Sequence, residues 1–151
     1  MRPVLLSFAA MALAGFANGD PSDVAGHWLT EAGNAIVTIA DCGDATPCGN
    51  VTWADLTEAP TDKDVNNPDA ALRDRPLIGL QMLWGFSRRN DRWRRGRIYD
   101  PEAGKTYGSG IRLTDEGELA VKGCIGPVCR TQIWTPIDAS DPRLVQDLPP
   151  A

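Results

Sequence analysis

Residues 91–123 read D-R-W-R-R-G-R-I-Y-D-P-E-A-G-K-T-Y-G-S-G-I-R-L-T-D-E-G-E-L-A-V-K-G, three strand-length segments separated by two turn signals. Asp91–Tyr99, Lys105–Leu113 and Glu118–Gly123 are the predicted strands, and Asp100–Gly104 and Thr114–Gly117, each ending in Gly, are the turns. Tyr107, Ile111 and Leu113 share one parity, as do Leu119 and Val121. Side chains alternate across a strand, so this pattern is that of a sheet buried on one face.

The same rhythm continues outward. On the C-terminal side, Arg130–Thr135 is a further strand after the segment Cys124–Cys129. On the N-terminal side, Val24–Thr30 and Ala35–Asp41 flank Glu31–Asn34, whose Gly and Asn suit a tight hairpin. Asn50–Asp55 and Leu80–Phe86 complete the set. Eight short strands joined by hairpins, with almost no helix, predict an all-β fold, a single antiparallel up-and-down barrel in which closure removes exposed edges. A barrel of that size is either filled by its own side chains or holds one small ligand. Between the third and fourth strands lies a connection rich in Pro, Asp and Asn, and its segment Asp64–Arg75 is expected to fold over the barrel mouth as a lid. From Pro136 onward four prolines and no periodicity mark an irregular end. The barrel domain is placed at residues 20–137 and a flexible tail at 138–151.

Residues 1–19 have the features of a secretory signal peptide: Arg2, an apolar run from Val4 to Ala14, then small residues. No segment approaches the roughly 20 apolar residues a membrane helix requires. A secreted or periplasmic address follows. The chain carries a net charge of −5, more negative by one once Arg2 leaves with the leader, which disfavours nucleic acid as a partner. The four Cys are even in number, and in an oxidising compartment they read as disulfides rather than metal thiolates. Of the three pairings, Cys42 with Cys48 and Cys124 with Cys129 are favoured because each spans a short turn; no metal site and no cofactor are expected.

Several long motifs run through the chain. They are G-H-W at Gly26–Trp28, C-G…C-G-N-V-T-W from Cys42 to Trp53, N-N-P-D-A-A-L-R-D-R-P-L-I-G-L from Asn66 to Leu80, G-R-I-Y-D-P-E-A-G-K-T-Y from Gly96 to Tyr107, and the closing V-K-G-C…C-R-T-Q-I-W. Together they resemble the exported bacterial family called domain of unknown function 2147. The resemblance implies a lipocalin-like barrel and, by analogy, a small apolar ligand. It also implies that Trp28 plugs the closed end beneath a basic side chain, for which Arg130 is the candidate. Pro136 stands where the family pattern carries a basic residue.

The aromatic residues Trp53, Trp84, Trp93, Tyr99 and Tyr107 are either core or the walls of a pocket for an apolar or anionic amphipathic ligand. Arg73 and Arg75 either pin the long loop or meet a ligand carboxylate or phosphate at the mouth. Six Arg between Arg88 and Arg97 are either a solvated face or an anion site for an envelope partner. Two functional readings result: a periplasmic binder of a small ligand, and a cell-envelope interaction module with a solid barrel. An enzyme is not expected. His27, the one His, has no nucleophile or orienting acid in any motif, and Asp64, Asp69 and Asp74 read as turn formers.

Overall fold

The computed structural model describes residues 23–57, 59 and 61–145; the predicted leader and residues 146–151 lie outside the described residues. The strands are β1 (Gly26–Leu29), β2 (Ala35–Asp41), β3 (Pro47–Ala54), β4 (Gln81–Trp84), β5 (Ser87–Arg89), β6 (Arg92–Asp100), β7 (Lys105–Leu113), β8 (Leu119–Ile125) and β9 (Val128–Ile137). All form one sheet in the order β4-β3-β2-β1-β9-β8-β7-β6-β5, and β4 also pairs with β6, which closes it. β4 and β5 both pair antiparallel with β6 and are two halves of one strand. The molecule is therefore a closed eight-stranded antiparallel barrel, as the hairpin rhythm predicts.

The interruption between β4 and β5 has a counterpart across the seam. Trp84 pairs with Arg97 and Ser87 with Arg94, so Gly85-Phe86 lies opposite Arg95-Gly96. Gly85 and Arg95 both take left-handed backbone, at φ 77° and 59°. Two kinks side by side turn Phe86 inward, where it is 3 % exposed. Its ring occupies the space a side chain at position 96 would need: a Cβ on Gly96 would lie 2.2 Å from it.

The barrel's lower end is where β1 begins and where the Cys42–Cys48 loop and the turns after β5 and β7 lie. Trp28, Trp93 and Trp134 fill this half together with Ile39 and Leu119, all at most 4 % exposed. Each Trp contributes several kcal/mol, since truncating one to Ala typically costs about 3–5 kcal/mol. The end is capped by Asp23, which accepts a hydrogen bond from Trp93 Nε1 (3.1 Å) and pairs with Arg88. The Arg88 guanidinium lies 5.2 Å from the Trp93 ring centroid. The basic residue stacked on a floor Trp is thus Arg88 on Trp93, and the expected Arg130 cover of Trp28 is corrected: Arg130 is at the other end, its side chain 80 % exposed and paired with Glu31. Trp28 instead donates through Nε1 to the Val24 carbonyl (3.0 Å).

Both local disulfides form, Cys42–Cys48 in the lower loop and Cys124–Cys129 across the β8–β9 hairpin. Two boundaries differ from the sequence reading. β3 begins at Pro47, because a proline is tolerated as the first residue of a strand. β9 runs through Pro136 to Ile137, and a single helical turn, α1 (Pro142–Val145), then packs against β3.

Because the kinked seam depends on a missing side chain, Gly96→Ala is expected to lower stability by about 1–3 kcal/mol. Adding Phe86→Ala should cost less in that background than in the parent. Strictly additive losses in a double-mutant denaturation cycle would contradict the contact.

Candidate functional site

Cross-strand pairs share a face, and the inner face above the tryptophans is read from them. One row crosses the inner wall as Gly96, Ser109, Gly123 and Arg130, on β6, β7, β8 and β9. A second row sets Leu83 beside Ile98 and Tyr107. Ser109 is 6 % exposed, and its hydroxyl has no hydrogen-bond partner among the described residues. A Cβ added at Gly123 would meet nothing nearer than Ile98 at 3.9 Å. A buried hydroxyl without a partner costs about 1–3 kcal/mol unless something else satisfies it. The inner wall thus carries a polar atom within an apolar surface, beside a position left small.

The seven sequence-predicted residues do not converge on this stretch of the inner wall. Trp93 is in the floor and Tyr107 is on the inner wall. Trp84 pairs with Arg97 on the outer face, opposite to its neighbour Leu83. Trp53 pairs with Ile36 beyond a register shift that turns both outward, and Arg143 from α1 lies 5.2 Å from its ring centroid. Tyr99 faces away from Ile98, its core-packed neighbour, yet is only 4 % exposed. The long loop covers it.

That loop is pinned by one carboxylate. Asp64 is 0 % exposed; it accepts from Tyr99 Oη (2.6 Å), Asn67 Nδ2 (2.8 Å) and Arg75 Nε (2.8 Å). The Arg75 guanidinium also lies over the Tyr99 ring at 5.5 Å. Arg73 donates from Nε to the Asn67 carbonyl (2.8 Å), and Asn66 Nδ2 to the Glu102 carbonyl (2.9 Å) in the β6–β7 turn. Gly104 in that turn has no room for a side chain, because a Cβ there would lie 1.8 Å from the Asn66 carbonyl oxygen. The segment Asp64–Arg75 therefore packs on the outer face of β6, and the expectation of a lid across the mouth is corrected. Burial, then the hydrogen bond to the Asp64 carboxylate and its charge, push the Tyr99 hydroxyl up to about 12.

The arginine run divides between two tasks. Arg88 and Arg92 pair with Asp23 and Asp91. Arg94, Arg95 and Arg97 line a shallow outer groove of about 360 Å³ with Arg112 and Lys122. Its floor is small, with Gly108, Gly110 and Ala120 among its lining residues. The register shifts between Trp93 and Gly96, so Arg94 and Arg95 bulge opposite a single residue, Gly110. This is why both parities of the strand carry Arg.

With the barrel and its surfaces in view, comparison with known proteins is informative. Residues 26–136 match the model of a family described as an uncharacterized protein conserved in bacteria, DUF2147. The chain belongs to this family. No protein of curated function matches it. Among solved structures it is similar to protein HP1028 from Helicobacter pylori, which is described as belonging to the lipocalin family. The TM-score is 0.65 at 19 % identity, over 76 % of this chain and 82 % of that one. At that identity the likeness is one of fold.

In this DUF2147 barrel the long N-N-P-D-A-A-L-R-D-R-P motif is accounted for by packing around Asp64. Sequence reasoning passed over Ser109, Arg112 and Lys122, although G-S-G at 108–110 placed a lone polar side chain between two glycines. It also passed over the outer chain from His27 Nδ1 to Thr38 Oγ1 (2.7 Å) and on to Thr52 Oγ1 (2.9 Å). Asp64→Asn sets an amide donor against Arg75 and Asn67 and is expected to cost about 2–3 kcal/mol. The same change removes the Asp64 charge while burial remains, so it should move a phenol titration, followed by ultraviolet absorbance, down from about 12 without bringing it to the free-phenol value, and Tyr99→Phe should abolish that titration. Since the folded value lies above the unfolded one, the Tyr99 contribution to stability is complete below about pH 10 and is lost as pH rises through about 12. A titration unchanged by Asp64→Asn would contradict the pin.

Proposed function

We propose that this protein is an exported, periplasmic lipocalin-like binder that holds a small amphipathic molecule in the upper half of its barrel. The observation that carries the reading is the Ser109 hydroxyl, buried on the inner wall without a hydrogen-bond partner among the described residues. Ile98 and Tyr107 supply apolar surface beside it, and Gly123 leaves space above the packed tryptophans. Pockets for small molecules combine such walls with a few placed polar groups. A ligand's apolar body would lie along Ile98 and Tyr107, its polar group against Ser109, with Arg130 of the same inner row nearer the rim. The two disulfides are compatible with export, and among the described residues no helix is long and apolar enough to cross a membrane. Binding rather than catalysis is the reading, since lipocalin-like folds supply a cup and no residue of the cup forms an acid–base or nucleophile pair.

Native mass spectrometry of the protein purified from its own host, with organic extraction, is expected to find a bound amphipathic molecule. Gly123→Leu should prevent its retention, and Ser109→Ala should weaken rebinding by about tenfold. A protein that is always empty, or equal retention by the Gly123→Leu variant, would contradict the reading.

A further inference from the structure

We infer that the outer groove and the β8–β9 hairpin together form a docking surface for an anionic lipid bilayer, independently of whether the cup holds a ligand. The hairpin projects. β9 pairs with β1 only from Thr135 onward, so its first residues have β8 as their sole strand partner. At its tip, in I-G-P-V, Ile125 and Val128 are 68 % and 73 % exposed, more than the other large hydrophobics among the described residues. The Cys124–Cys129 disulfide staples the base of the tip across β8 and β9. An exposed apolar pair left uncovered by the described residues is unfavourable unless it has another phase to enter.

The groove begins where the tip ends. Cys124, Lys122 and Thr131 line it together with Arg94, Arg97 and Arg112. None of Arg94, Arg95, Arg97, Arg112 and Lys122 has a carboxylate within salt-bridge distance among the described residues. On a chain of net charge −5 this local cluster orients the molecule, presenting the hairpin tip end-on to an anionic surface and the acidic remainder away from it. The dimensions agree. Lys122 stands three residues before Ile125 in β8, about 10 Å along the strand and on its opposite face, so the tip enters end-on with the basic groove behind it on the outer side; interfacial side chains enter a bilayer by roughly 5–10 Å. With Ile125 and Val128 at that depth, Lys122 and the arginines beside it reach the level of lipid phosphates. A soluble polyanion would satisfy the arginines and leave the apolar tip in water; a bilayer accommodates both.

The test is co-sedimentation of the purified protein with phosphatidylcholine vesicles, with and without phosphatidylglycerol. The protein should pellet with the phosphatidylglycerol vesicles and be released by high salt. Arg94→Ser/Arg97→Ser/Lys122→Ser should weaken this by about a hundredfold. Ile125→Ser/Val128→Ser should weaken it by about tenfold with its salt dependence intact. All five positions are largely solvated, so thermal melts of both variants should match the parent. Equal binding to both vesicles, binding to neither, retention on heparin without vesicle binding, or pelleting of either variant like the parent would each overturn the inference. None of these outcomes bears on ligand retention by Gly123→Leu.

Discussion

The structure depends on a narrow seam. Only two register positions, Leu83 with Ile98 and Trp84 with Arg97, join β4 to β6 and turn an open sheet into a cylinder. Without them β4 and the upper part of β6, beyond its pairing with β5, would be free edges, each a row of unpaired backbone groups. The seam is strengthened where it is irregular. The break at Gly85-Phe86 and the bulge at Arg94-Arg95 lie side by side, and Phe86 fills the volume that Gly96 vacates. One kink alone would cost pairing; matched kinks keep β5 and the lower half of β6 in register and carry a large ring into the core. The bulge has a second effect on the outside, where it turns extra arginine side chains toward one groove.

A closed barrel has an outer face, and here parts of that face are apolar. Tyr99, Trp53 and Ile36 point outward, and the chain covers them with segments that are not strands. The loop laid down by Asp64 seals Tyr99, and the turn α1 brings Arg143 over Trp53. Asp64 makes the first of these possible. A carboxylate in a dry site requires several donors, and Tyr99, Asn67 and Arg75 converge on it from the barrel wall and from both ends of the loop. The loop is thus cladding, and at the barrel's upper rim the β1–β2 and β6–β7 turns meet through Asn34 Nδ2 and Glu102 Oε1.

The strands from Arg92 to Ile125 were legible because their apolar residues alternate and their turns carry Gly. The seam was not, because Leu80–Phe86 is almost wholly apolar and a continuous apolar run has no period from which a break can be read. The functional surfaces were less legible than the strands. Aromatic residues signal burial without saying which side of a sheet is buried. Tyr99 is buried and Trp53 half-buried by cladding that only tertiary structure reveals, and in the sequence they look no different from a wall residue such as Tyr107. Ser109 carried no signal of its own. Its significance comes from a shared row with Gly96 and Gly123, which are far away in sequence. The arginine run was visible, but its partners Arg112 and Lys122 come from neighbouring strands and had no motif to announce them.

The inner wall, the cladding and the basic groove all presuppose that the sheet closes. Native-state hydrogen exchange followed residue by residue tests this most directly. If the barrel is closed, the cross-strand-bonded amides of the β4–β6 seam, at Leu83 with Ile98 or Trp84 with Arg97, should exchange as slowly as those between β7 and β8 at Ile111 and Val121. Exchange at the seam as fast as in the exposed turns, with β7 and β8 still protected, would mean an open sheet and would contradict the account.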